Sequence, residues 1–210
     1  MASDVPDFAP YPDLRDPRVL VAVPPGRRAA LTALWALAER LTALLRDTTE
    51  PLIGQIKLAW WRDMLALLAN DPEALPKGEP LLAELQATWG GQGGLDALVD
   101  AAEAMLLAED AGRDGAIGFG TALFALSGGD GASGQRWGLL WGAALQKDEA
   151  DARRLFAEAR AAPPPPRSAF AGQRALLMLD RWAAAIAARD GERRWRSEGL
   201  LLFRLGLFGR

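Results

Sequence analysis

Apolar side chains recur at three- and four-residue intervals along almost the whole chain, and the breaks fall where Gly and Pro cluster. That spacing lines up one face of an α-helix, whereas a half-buried strand needs strict alternation, and no alternating run of any length occurs. The clearest stripe is Leu31, Leu34, Trp35, Ala38, Leu41 and Leu45, which predicts a helix over about 27–46 after the break at Pro24, Pro25 and Gly26. Thr48, Thr49 and Glu50 followed by Pro51 supply a cap, an early negative charge and a proline at the first turn, so a second helix starts near residue 50. Asn70, Asp71 and Pro72 stop it. Glycines at 90–94, 112 and 128–131 delimit further helices over about 79–89, 94–111 and 114–127. Four prolines, Pro163 to Pro166, form a stiff spacer before helices at about 168–189 and 197–207. The pattern predicts an all-α fold in one domain over 1–210, with residues 1–24 as an extended N-terminal arm.

Two of the helical segments are unusually rich in small residues: 116–126, with Gly118 and Gly120, and 137–144, with Gly138 and Gly142. Each glycine costs a soluble helix up to about 1 kcal/mol relative to alanine, so its presence needs a reason. Close approach of two backbones is one such reason, and room for a ligand is the other.

Composition limits the chemistry. A chain of 210 residues, half of them hydrophobic, builds one sizeable core. It has no cysteine and no histidine, which removes disulfides, thiolate zinc sites, cysteine nucleophiles and the commonest general base. What remains is carboxylate chemistry with Mg²⁺-type ions, hydroxyl or lysine nucleophiles, or no chemistry at all. A net charge of −3 argues against a nucleic-acid binder. The first residues have neither a basic nor an apolar signal region, and no run of eighteen apolar residues occurs, so a cytoplasmic protein is expected, with any membrane contact peripheral, at the inner face.

Three stretches carry a resemblance. Asp16, Pro17 and Arg18 form the first, and the helix from Ala30 to Glu39 the second. The third, and most specific, is the run with Glu50, Pro51, Gly54, Ile56, Lys57, Leu58, Trp60, Trp61, Arg62, Asp63 and Leu65. Together, over about 16–68, they resemble the squalene/phytoene synthase family, especially its short branch similar to a respiratory complex I assembly factor. The resemblance implies an isoprenoid-synthase-like helical bundle, shorter than the full family fold. It also implies two aspartate-rich motifs on facing helices, because Mg²⁺ ions there would bridge carboxylates to a diphosphate leaving group.

The first of those motifs falls on Thr42, Ala43 and Arg46, none of which is acidic. The second falls near Asp148, Glu149 and Asp151, with Lys147 at an intended aspartate position; these acids are read as the first turn of a helix. Asp96 and Asp100, with Glu103 beyond, are read as a solvated face, and Asp110 and Asp114 straddle Gly112. The expectation is therefore a protein that has kept the architecture and lost Mg²⁺-dependent prenyl transfer, acting as an assembly scaffold or apolar-lipid binder, with no cofactor. The alternative is an active head-to-head prenyltransferase that holds Mg²⁺ through other carboxylates.

Five residues stand out as contacts for a ligand or partner. Lys57 stands five residues before Arg62, and Arg62 could bind a diphosphate by bidentate contacts or, as the favoured reading, pair with a neighbouring helix. Glu39 matches the short branch, or else pairs with Arg28, Arg40 or Arg62. Trp195 and Phe203 lie in a basic amphipathic helix over 193–210, where arginines interleave with aromatic and leucine side chains. Such a helix fits a membrane surface, a membrane-protein partner, or the protein's own core. Trp60 and Trp61 point about 100° apart and are read as core.

Overall fold

The structure, a computed structural model, describes residues 10–209. Among them ten α-helices are joined by turns and three short 3₁₀ segments, with no strand. Asp16 starts α1 (Pro17–Leu20): its carboxylate accepts the Arg18 N–H, and Pro17 sits where a missing N–H costs nothing. Burial pushes this carboxyl up, but hydrogen bonds and charge from Arg18, with the charge of Arg193, outweigh it and hold Asp16 below the usual range. Its contribution to stability is thus present at neutral pH and lost as pH falls through the acid range.

This corrects the extended arm expected over 1–24; the first nine residues lie outside the described part. Tyr11, Leu14, Val19 and Val23 are buried in the common core. The indole of Trp137 donates to Pro12 O at 2.8 Å, which ties the segment down 125 positions away in sequence. The Tyr11 hydroxyl donates to Glu39 at 2.8 Å.

Burial, and then the Glu39 carboxylate, push the Tyr11 hydroxyl well above its ordinary pKa. A folded-state value above the unfolded one means that the contribution is complete below about pH 10 and is lost as pH rises further. Tyr11→Phe is expected to cost about 1.5 kcal/mol near neutrality, the worth of a hydrogen bond to a charged group. It should also flatten the alkaline loss of stability, which urea unfolding at a series of pH values would measure.

The long helices α2 (Pro25–Asp47) and α3 (Pro51–Asn70) start on prolines in their first turn. α4 (Pro80–Trp89) packs on α2, and α5 (Asp96–Leu106) packs on α3. α5 stops before the expected residue 111, because Asp110 accepts the Gly112 N–H at 2.9 Å in a tight turn and Gly112 takes a left-handed φ of 65°. α6 (Arg113–Leu126) and α7 (Gln135–Leu145) form the centre of the bundle. α8 (Glu149–Ala161) and α9 (Arg174–Ala187) cover α7, and α10 (Trp195–Phe208) lies on α9 and α1. α9 begins six residues later than the sequence predicts, since a 3₁₀ turn at Arg167–Phe170 and Gly172, at φ 73°, intervene.

The small-residue segments resolve in favour of close packing. A Cβ placed on Gly138 would overlap the Ala116 carbonyl oxygen, and one on Gly120 would lie 2.7 Å from the Gly138 Cα. The backbones of α6 and α7 therefore touch.

Candidate functional site

The decisive position is Thr42, in the C-terminal third of α2. Its hydroxyl donates to Ala38 O at 2.7 Å and accepts the Trp141 indole N–H at 3.0 Å. Trp141 stacks on Phe119 at 4.1 Å between centroids, nearly parallel at 6°, and lies 6.5 Å from Trp137. Trp35 meets Trp137 edge-on at 5.3 Å, and its own N–H is satisfied by the Ser127 hydroxyl at 3.1 Å. All four aromatic rings are buried. Each buried indole N–H in this set has an acceptor, so the centre of the bundle is a filled, polar-satisfied core. Ala43 lines a surface groove, and Arg46 is half exposed near the end of α2, its guanidinium 3.5 Å from Asp47. Thr42, Ala43 and Arg46, on which the resemblance would put the first motif, thus face different surroundings.

The other acidic pairs are accounted for locally. Asp148 caps α8 by accepting the Ala150 and Asp151 N–H groups, at 2.9 and 3.0 Å. Glu149 pairs with Arg153 and Asp151 with Arg154 along the same helix. Asp100 and Glu103 both receive Arg62, at 2.7 and 2.9 Å, which fastens α3 to α5 at the surface. Asp110 makes the turn before α6, and Asp114 pairs with Arg113. Among the described residues, no three acidic side chains converge as a metal site would require.

Glu39 is half buried, and its partner is the Tyr11 hydroxyl, not Arg28, Arg40 or Arg62. Arg28 instead donates to Val23 O and Val21 O, Arg40 pairs with Glu79, and Arg62 goes to α5.

The two adjacent tryptophans of α3 part company. Trp61 is buried, while Trp60 is 42% exposed, which corrects its assignment to the core. Trp60 continues an outward stripe with Leu52, Ile53 and Ile56, all exposed. Beside this stripe, between α2 and α3, runs a groove of about 540 Å³ lined by Arg40, Ala43, Leu44, Asp47, Ile56, Lys57, Trp60 and Trp61. Trp60→Ser, which loses an edge-on contact with Trp61 at 5.1 Å, is expected to cost about 1–2 kcal/mol, whereas Trp61→Ala should cost about 3–5 kcal/mol. Thermal unfolding of the two variants side by side would test this asymmetry.

A second groove, of about 550 Å³, separates α10 from the α1–α2 connection. Arg18, Val21, Ala22, Arg174, Gly199, Leu202, Phe203, Gly206 and Leu207 line it. The inner side of α10 is held by Glu198, which is buried and accepts the Trp182 indole N–H at 2.8 Å, the Arg194 backbone N–H at 2.6 Å and the Arg193 guanidinium. Arg18 and Arg193 lie over the Trp182 ring, at 5.0 and 5.4 Å. The sequence places Trp195 and Phe203 on this helix, and both are exposed. It gives no sign of the Trp182–Glu198 anchor beyond a lone acid in an otherwise basic, apolar segment.

No family description, characterised protein or solved structure matches this chain.

Proposed function

We propose that the chain is a non-catalytic helical scaffold on an architecture like that of the squalene/phytoene synthases, working through its apolar surfaces as an assembly factor at a membrane. The observation that carries this reading is the packing at Thr42. A prenyl-transfer site would need carboxylates, metal ions and an open cavity there, and the space holds Trp141, Trp137 and Phe119. Converting it to a catalytic centre would require removing buried aromatic rings from the middle of the bundle, at about 3–5 kcal/mol for each.

The two surface grooves and the outward stripe of α3 offer what a scaffold needs: apolar side chains left in water, next to charged rims. A helix that is apolar on both faces, as α3 is from Leu52 to Trp60, belongs between two partners. Respiratory complex I assembly is the setting that the resemblance over 16–68 suggests. The filled interior favours docking of a partner over carriage of a lipid inside the bundle. Native mass spectrometry of freshly purified chain tests this: the reading expects the bare polypeptide mass, and a stoichiometric prenyl-lipid adduct would sink it.

A further inference from the structure

We infer that the outer face of α10 is a docking surface for an anionic lipid bilayer, engaged by exposed apolar side chains beside Arg196 and Arg204. The inference rests on the reading of the chain as a surface-acting scaffold and names what one of its surfaces meets. Leu200, Phe203 and Leu207, at three- and four-residue spacing, share the face of α10 turned away from α9, and they are 69%, 63% and 57% exposed. Phe208 at the end of the helix and Val21 across the groove are exposed as well. Arg196 and Arg204 stand one turn before and one turn after Leu200, on the same side. The ion pairs of this region are Arg193–Glu198 and Arg194–Glu192, and among the described residues Arg196 and Arg204 have none.

Charge decides between a lipid surface and a protein groove as the occupant. Residues 193–210 hold five arginines and a single acid, Glu198, which is buried, while the chain as a whole is at −3. The rest of the protein is therefore more acidic than the total. Near an anionic surface such a molecule is oriented, with α10 attracted and the acidic remainder repelled. Arginines beside exposed Phe and Leu reach phosphate headgroups while the apolar tips sit in the acyl boundary. No helix among the described residues is long and apolar enough to cross a membrane, so this contact is a lying-down one.

Flotation with phosphatidylcholine vesicles, and with vesicles that also contain phosphatidylglycerol, tests the assignment on the full chain. The wild type should float with the anionic vesicles and stay at the bottom with the neutral ones. Phe203→Ser with Leu207→Ser should lower the affinity by on the order of a hundredfold, from two lost apolar insertions. Arg196→Glu with Arg204→Glu should lower it by at least about tenfold and abolish the preference for anionic lipid. All four side chains face solvent, so both variants should keep wild-type thermal unfolding.

A wild type that ignores both vesicles overturns the inference in favour of a protein partner for this face. Undiminished binding by the serine variant overturns the apolar insertion, and undiminished preference in the glutamate variant overturns headgroup pairing. Pyrophosphate release from a prenyl diphosphate by the same preparation would instead overturn the scaffold reading and leave the vesicle result standing.

Discussion

Gly138→Ala is expected to lower stability by about 3 kcal/mol or more, although alanine is the better helix former by up to about 1 kcal/mol. The added methyl would meet backbone: the Ala116 carbonyl oxygen is in the way, and Ala116 C and Gly120 N lie at 3.1 Å. Backbone cannot turn aside as a flexible side chain can, so α6 and α7 would have to separate. Separation would loosen the contacts of Phe119 on α6 with Trp141 on α7, and with them the hydrogen bond to Thr42. Gly118→Ala is the control in the same pair of helices. Its nearest contact would be the Ala101 Cβ at 3.5 Å, ordinary packing, so it should be neutral or stabilising by up to about 1 kcal/mol. Urea unfolding of the two variants should give changes of opposite sign or very unequal size. Equal effects would mean that the helices are not in backbone contact.

Arg136→Met is the second substitution with a large expected cost, about 3–5 kcal/mol, because it breaks a buried ion pair and leaves one charge behind. Arg136 and Asp180 are 6% and 0% exposed and meet at 2.7 Å, joining α7 to α9. The same guanidinium donates to Ala159 O at 3.3 Å and Ala162 O at 2.6 Å, the unpaired carbonyls at the end of α8. One side chain therefore locks three helices. Burial pushes the Asp180 carboxyl up, with Arg136 and Arg181 pulling the other way. Because the folded-state pKa is raised, this carboxyl favours folding most below the ordinary carboxylate value, and that part is lost as pH rises from there through the raised folded-state pKa. Replacing both partners, as Arg136→Met with Asp180→Leu, should cost less than Arg136→Met alone, since no buried carboxylate remains and Arg181, the other partner of Asp180 at 3.4 Å, is partly exposed and can turn to water. A double-mutant cycle read by urea unfolding at neutral pH checks the coupling.

Helix positions were legible in the sequence because they depend on local chemistry. Pro51 and the Asn70–Pro72 stop bound α3 within a residue of where they predict, and the glycines of α6 and α7 mark a place where two backbones meet. The acids at 148–151 read correctly as a helix start. Partners separated by long stretches of chain were not legible. Tyr11 and Glu39, Trp137 and Pro12, and Arg136 and Asp180 are brought together only by the packing of the whole bundle.

A usable signal did exist for Asp180, a single acid within the apolar run Leu176 to Trp182 of the most strongly amphipathic helix. An acid in that position must be paired inside. Trp60 illustrates the opposite limit. An apolar helix with two tryptophans looks like core from its composition, and only the arrangement of α2, α4 and α5 around α3 decides which of the two faces is covered.

If the aromatic core around Thr42 and Trp141 fills the space that a prenyl-transfer reaction would occupy, as proposed, the chain releases no pyrophosphate from a prenyl diphosphate. Incubating the purified chain with farnesyl or geranylgeranyl diphosphate and Mg²⁺, and measuring pyrophosphate, gives the answer. Release no faster than in the protein-free control is expected. Mg²⁺-dependent release above that background, with a condensed prenyl product, would contradict it.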